Sequence, residues 1–412
     1  MRRFHILLAA GLLSSCSPAT EPNRSAPELR ALPRPLTPTE QNLRDAANGF
    51  SFALFARASE ANAGRNVFVS PLSVSMSLGM TLNGAGGATR DQMRQTLGYG
   101  TLGMPAINEG YESLATLLQG LDASTKFQIA NSIWYARGYP FLPAFLDAGR
   151  HWFDAEIRGV DFADAAGTKS AVNGWVNGKT NGRIPTIVDE VRPDDVMYLI
   201  NAIWFKGSWR SKFDPAQTRD APFRAADGTT SSVKLMHRVA DTTMRFRQFA
   251  DQEVEIGELP YGNGAYAMVV AMPRPGTSID AFAASLTPSR WNAFVGSLRG
   301  GDGMIVALPR FTMTFERELK PDLQALGMRD AFDPARADLS GMTTRGDLFV
   351  GFVKHKTFVQ VDEEGTEAAA VTNTGISVTS LPPTFRVDRP FVVVIHERLS
   401  GTILFVGKVA KL

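Results

Sequence analysis

The sequence predicts an α+β fold with mainly antiparallel sheets, built as one large domain behind an export segment. Three observations carry this expectation. Helical patterns crowd the first half of the chain and strand patterns the second, without the regular alternation of a doubly wound fold. Apolar residues make up 44% of the 412 residues and are spread throughout, so the chain can bury a large core. No internal repeat and no convincing linker follows Thr39.

The chain opens "MRRFHILLAAGLLSSC", a basic start followed by an apolar run too short to span a bilayer. That is the pattern of a secretory signal peptide, here residues 1–15. Its ending, Leu13-Ser-Ser-Cys16, resembles the lipobox of bacterial lipoproteins, where cleavage leaves the cysteine as a lipid-bearing N-terminus. An ordinary signal peptide with an incidental cysteine is the alternative. Cys16 is the only cysteine, so no intramolecular disulfide can form and an exported fold must rely on its core. Ser17 follows in place of an inner-membrane retention Asp, which favours the outer membrane or cell surface over a free periplasmic or secreted form. Residues 16–38 are rich in Pro, Ser, Ala and Arg and read as a semi-extended tether, with ordered structure beginning near Thr39 and the domain running over 39–412.

Within the domain, Glu40 to Ser59 carries apolar residues at helical spacing. Ser70-Pro71 can cap and start a helix, Gly84 to Gly87 break it, and Ala88 to Leu97 start another, with helical pattern continuing to about Gln119. A strand is expected over Phe127 to Ala136, then helices over Pro143 to Phe153 and Ala165 to Lys179. Strand signals follow at Val196 to Phe205, Val233 to Met236, Thr242 to Phe249, Glu253 to Leu259 and Tyr266 to Met272. Short helices are expected at Ser278 to Ser285, Pro288 to Leu298 and Leu319 to Leu326, with strands at Met304 to Phe315, Phe349 to Val361, Phe385 to His396 and Thr402 to Val409.

Several function classes drop out. Lys plus Arg number 43 against 41 Asp plus Glu, and Arg2 and Arg3 account for the excess. A near-neutral body with no basic run excludes nucleic acid and leaves membrane contact to the N-terminal lipid. Beyond the signal peptide only His151, His237, His355 and His396 occur, none paired at metal-ligand spacing, so neither metal nor cofactor is expected. The one enzyme-like motif is Ser231-Ser-Val-Lys234, with Lys179-Thr-Asn-Gly182 as a faint second element. Such a serine must open a helix to bring the lysine one turn on, and "TTSSVKLM" is strand-like, with the two elements in the wrong order. The chain does not read as an enzyme.

One segment resists assignment. "DEEGTEAAAVTNTGISVTSLPP" follows a strong strand, begins with good helix formers and drifts into residues that suit an extended chain. It resembles the reactive-loop hinge of the serpins, a family of large protease inhibitors. "NVFVSPLSVSMSLGMTLNGAGGATRDQM", "LINAIWFKGSWRSKFDPAQTRDAPF" and "RVDRPFVVVIHERLSGTILFVGKV" are similar to that family's helix-B region, central strand and C-terminal strands, in family order.

The resemblance implies three mainly antiparallel sheets, eight to nine helices and an exposed reactive-centre loop at about 363–384. It implies a monomer that inhibits serine proteases: the target forms an acyl-enzyme on the loop, which then inserts as a new strand and deforms the protease. The loop itself suits insertion. Alternate residues Thr366, Ala368, Ala370, Thr372, Thr374 and Ile376 are small or uncharged, and no proline interrupts Gly365 to Leu381. A non-inhibitory relative acting as chaperone or carrier is the alternative, and such loops usually carry proline, charge or bulk in the hinge.

The same resemblance implies a hinge of Glu363, Glu364, Gly365, Thr366, Glu367, Ala368, Ala369 and Ala370. It matches Ser70, Ser73, Asn201 and His355 to a polar cluster beneath the sheet opening, although helix capping explains either serine alone. Trp209, Arg310 and Glu363 match the point of loop entry. Gly365 and Pro390 lie 25 residues apart, and the family's scissile bond falls fourteen residues after the hinge glycine, at Thr379–Ser380. Threonine suits the shallow pockets of elastase-like or subtilisin-like proteases, and a slip of one residue would make Val378 the acyl donor without changing that preference.

Overall fold

In the computed structural model, residues 27–366 and 382–412 are described. Among them are nine α-helices. The first, α1 (Pro38–Glu60), starts at a capping box in which Thr37 and Glu40 satisfy each other's backbone N–H, with proline at the first helical position. Then come α2 (Pro71–Leu82), α3 (Gly87–Leu97), α4 (Met104–Gln119), α5 (Pro143–Phe153) and α6 (Ala165–Lys179), followed by the shorter α7 (Ile279–Ser285), α8 (Pro288–Ser297) and α9 (Lys320–Ala325).

The largest sheet has seven strands in the order β1 (Val67–Val69), β17 (Ile403–Val409), β16 (Phe391–Glu397), β9 (Tyr266–Pro273), β8 (Val254–Pro260), β7 (Arg247–Ala250) and β10 (Arg299–Gly300). Every residue of β9, β16 and β17 is buried, as the continuous apolar runs "AMVVAM" and "FVVVI" require of strands covered on both faces. A second sheet orders β15 (Thr384–Arg386), β11 (Ile305–Pro309), β6 (Thr230–Val239) and β5 (Arg219–Arg224).

The central sheet is divided. β12 (Phe311–Glu318) pairs with β13 (Lys354–Val361), while β14 (Gly365–Thr366), β4 (Met197–Ser208), β2 (Thr125–Ala136) and β3 (Glu156–Val160) form a separate ladder. The α+β class and the helix count agree with expectation, but the three expected sheets become four ladders. The cause is local: β13 turns through Asp362–Glu364 into β14, and β14 occupies the edge of β4 at Gly207–Ser208. Among the described residues no ladder joins β13 to β4. A second, smaller core lies where α6 packs on β2 and β4, with Trp134, Trp175 and Tyr198 at its centre.

Two expected strands are each two. The stretch Met304 to Phe315 changes sheet at Pro309-Arg310, and Phe385 to His396 breaks over Val387–Pro390, because proline and the chain's change of direction end a ladder. The tether is shorter than expected. Residues 27–37 have no helix or strand, yet Leu36 is buried in the main core and the Leu29 N–H donates to Asn263 O at 2.8 Å. No described helix is long and apolar enough to cross a membrane.

Candidate functional site

The hinge is built where β13 ends. Asp362 and Gly365 face each other across a tight turn, and the ladder then sets Gly365 opposite Ser208 and Thr366 opposite Gly207. Gly365 has φ of 146°, and a Cβ there would meet Gly207 O at 2.1 Å, so glycine is required for the close approach. Gly207 is required in turn, since its Cβ would lie 2.7 Å from the Tyr261 ring.

Three successive acids are fastened beside this turn. Arg310 Nε donates to Glu363 at 2.7 Å, and the Thr218 hydroxyl donates to the same carboxylate. Burial alone would raise the Glu363 pKa, but these donors outweigh it and hold the carboxyl below its ordinary range. Lys212 pairs with Glu364 at 2.5 Å. Asp362 goes the other way: burial first, and then the negative neighbours Glu363 and Glu364, raise it. Trp209 closes the turn from the side. Its indole N–H donates to Asp362 O at 2.8 Å, its backbone N–H to Glu364 O at 2.7 Å, and its ring stacks on Tyr261 with centroids 4.6 Å apart. The Tyr261 hydroxyl reaches Thr366 Oγ1 at 2.7 Å.

The polar cluster lies farther along the divided sheet, at the start of α2. Ser70 occupies the N-cap position but its side chain does not cap. Its hydroxyl donates to Leu404 O at 2.7 Å, and its backbone N–H donates to His355 Nε2 at 3.0 Å. One turn on, Ser73 donates to Asn201 Oδ1, and Asn201 Nδ2 donates to Asn131 Oδ1 at 2.6 Å. One helix turn thus binds β4 through Asn201 and β13 through His355, the two strands no ladder joins. Helix capping is not what either serine does. The bond from Ser70 N–H makes Nε2 an acceptor, so His355 is neutral, and burial pushes its pKa down to about 4.

Trp209, Arg310 and Glu363 therefore meet at one point, and Ser70, Ser73, Asn201 and His355 form two bonded pairs on one helix turn. Glu367, Ala368, Ala369, Ala370, Thr379, Ser380 and Cys16 lie outside the described residues. Sequence reasoning missed Tyr261, Thr218, Lys212 and Asn131, whose roles depend on contacts far along the chain; only the turn sequence "LPYGNG" hinted at Tyr261. Ser231 and Lys234 lie within β6, where Lys234 pairs with Asp220, so no helix aligns them. Among the described residues no group of His, Cys, Asp and Glu could hold a metal.

Comparison with known proteins agrees with this geometry. Leukocyte elastase inhibitor A of Mus musculus is 33% identical over 380 residues, covering 90% of this chain and 99% of its own. The leukocyte elastase inhibitor of Homo sapiens is 32% identical, covering 89% and 99%. Among solved structures, the thermophilic serpin tengpin in the native state superposes with a TM-score of 0.81 at 29% identity, covering 94% of this chain and 98% of its own. Human thyroxine-binding globulin complexed with its ligand gives 0.82 at 27%, covering 90% and 99%. The family model for serpins (serine protease inhibitors) matches residues 45–412, and the chain belongs to that family.

Proposed function

We propose that the protein is a suicide inhibitor of serine proteases, with elastase-like or subtilisin-like enzymes as targets. The fold does not decide this, because a thyroxine carrier and elastase inhibitors share it. The observation that carries the reading is the register of the hinge. Continuing the ladder of Gly365 with Ser208 and Thr366 with Gly207 sets position 372 opposite Asn201. Continuing the Asp362–Gly365 turn sets the same position opposite His355. An inserting strand would therefore bring Thr372, small and able to hydrogen-bond, between the two halves of the polar cluster, and would present only alanines and threonines to the core before it. Addition of a strand to a divided sheet releases the energy that traps the protease.

In this reading the protease serine attacks the Thr379 carbonyl, the Ser380 amine leaves, and insertion outruns hydrolysis of the ester. Incubation with an elastase and a subtilisin should give complexes stable on denaturing gels and release a peptide beginning at Ser380, or at Thr379 if the register slips by one. A complex formed through this loop with trypsin, and none with any elastase or subtilisin, overturns the target assignment. No covalent complex with any serine protease overturns inhibition in favour of a carrier or chaperone.

We also propose export and anchoring of a monomer at the cell envelope through lipid on Cys16. Cys16→Ser should leave unprocessed precursor or release soluble protein. Recovery of the wild type wholly soluble, with a free N-terminus at another residue, overturns the anchor.

A further inference from the structure

The segment 28–36 is fastened at both ends. At the lower end Leu36 is buried, and the Arg34 guanidinium grips both oxygens of Glu40, at 2.7 and 2.6 Å, and Ser113 at 2.8 Å. Glu40 is fully buried, and the Arg34 hydrogen bond is the largest influence that lowers its pKa to about 2. This end is therefore tied to α1 and α4. At the upper end Leu29 N–H donates to Asn263 O, and the Glu28 carboxylate, 18% exposed, lies 3.6 Å from Arg245.

The turn gripped by the upper end is the one on which the hinge rests. Gly262 N–H donates to Ser208 O at 2.9 Å, and Ser208 stands opposite Gly365. Tyr261, one residue earlier, stacks on Trp209 and bonds Thr366. From Leu29 to the hinge glycine the path is two hydrogen bonds and one strand pair. Cations also converge on the turn: Arg210 donates to Gly262 O at 3.1 Å and Arg398 to Gly264 O at 2.8 Å. Arg398 has its own carboxylate in Glu258, which leaves Glu28 as the acid facing Arg245 on the other side.

We propose that residues 28–36 act as a clasp that slows spontaneous insertion of the reactive loop. The inference rests on the inhibitory reading given above. Insertion needs β4, with β2 and β3, to shift relative to β13, and the end of β4 is held through Ser208 to the turn and through the turn to the segment. A contact made better in the uninserted state raises the barrier to leaving it. The segment touches none of the hinge residues, so its effect falls on the lifetime of the active form and leaves the trapping chemistry alone.

Leu29→Pro removes the bonding N–H without touching the body of the fold, and Glu28→Gln removes the charge. Freshly prepared full-length variants and wild type should form covalent elastase complexes with equal stoichiometry. Held below the unfolding temperature, Leu29→Pro should lose that capacity with a half-life about fivefold shorter, the scale of one hydrogen bond. Glu28→Gln should show a smaller shift, and Pro33→Ala, at an exposed position, none. The lost protein should accumulate as a monomer of raised thermal stability. Half-lives equal to or longer than wild type overturn the clasp. If wild type forms no covalent complex, the inhibitory reading fails separately, and hydrogen exchange decides the clasp: Leu29→Pro must then speed exchange at the Gly262 amide, and unchanged exchange there overturns it.

Discussion

The seven-stranded sheet and the divided central sheet are built from the same chain by opposite rules. In β9, β16 and β17 every residue is buried and each strand is bonded on both edges. Such a sheet has one arrangement, and its cohesion is apolar burial. Between β4 and β13 no ladder is present among the described residues, and the groups beneath are Ser70, Ser73, Asn201 and His355, which hold the two strands through side-chain bonds from one helix turn. Hydrogen bonds of this kind contribute about 1 kcal/mol each and can be exchanged for others. A core that must stay closed uses burial, and a seam that must part and reclose uses polar groups that can change partners.

The largest expected effect lies at the seam. Thr366 is 3% exposed, with its hydroxyl on Tyr261. Thr366→Arg places a charge where no acid faces it, at a cost of several kcal/mol, so the variant should be cleaved as a substrate and form no covalent complex. Complex formation at wild-type stoichiometry would sink the insertion mechanism, and inhibition that survives while proving reversible would point to a simple binding protein.

The contrasting change lies in the seven-stranded sheet. Ile256 is fully buried in β8, and Ile256→Ala should cost about 3 kcal/mol of global stability by leaving a cavity. Denaturant unfolding should show that loss while the fraction of protease trapped stays at the wild-type value. A variant that keeps its stability but becomes a substrate would mean that the two sheets are not distinct in the way described.

The difference between the sheets was only partly legible in the sequence. Helices α5 and α6 match their periodic patterns end for end, and the apolar runs of β9, β16 and β17 announce strands covered on both faces, because burial writes a local pattern. The seam writes none. Trp209 meets Asp362 and Ser70 meets His355 across more than a hundred residues, and only likeness to a family assigned those residues a common place. The segment 28–36 was read as a tether because its composition is rich in proline and arginine, while its fastenings are a backbone N–H and a carboxylate with distant partners.

Acid should separate the two regions next. His355 is neutral in the fold with its pKa near 4 against an ordinary 6.5. A depressed folded value means that its contribution is fully present above pH 6.5 and is lost as pH falls toward 4, to a total of about 3 kcal/mol. Protonation would also turn Nε2 into a donor facing the Ser70 N–H. Wild type should therefore lose more stability between pH 7 and pH 4.5 than His355→Gln, in which other titrating groups are unchanged. Parallel losses in the two proteins would remove His355 from the pH response.

The smallest expected effect concerns two lysines. Lys126 and Lys206 stand directly opposite each other on β2 and β4, and neither has a carboxylate partner among the described residues. Like charges so placed are unfavourable, and they lie at the entry end of the seam. Continuing the hinge register by one residue sets position 367 opposite Lys206, so in the inserted product the glutamate there would face two cations. A cross-strand charge pair contributes up to about 1 kcal/mol, which corresponds to roughly a fivefold change in a rate limited by that step. Lys206→Glu should slow insertion by up to that factor, raising the fraction of loop cleaved without trapping, and pairing it with Glu367→Lys should recover most of the loss. The reversal separates a specific pair from a general disturbance of β4: if the double variant traps no better than Lys206→Glu alone, the register does not continue as drawn.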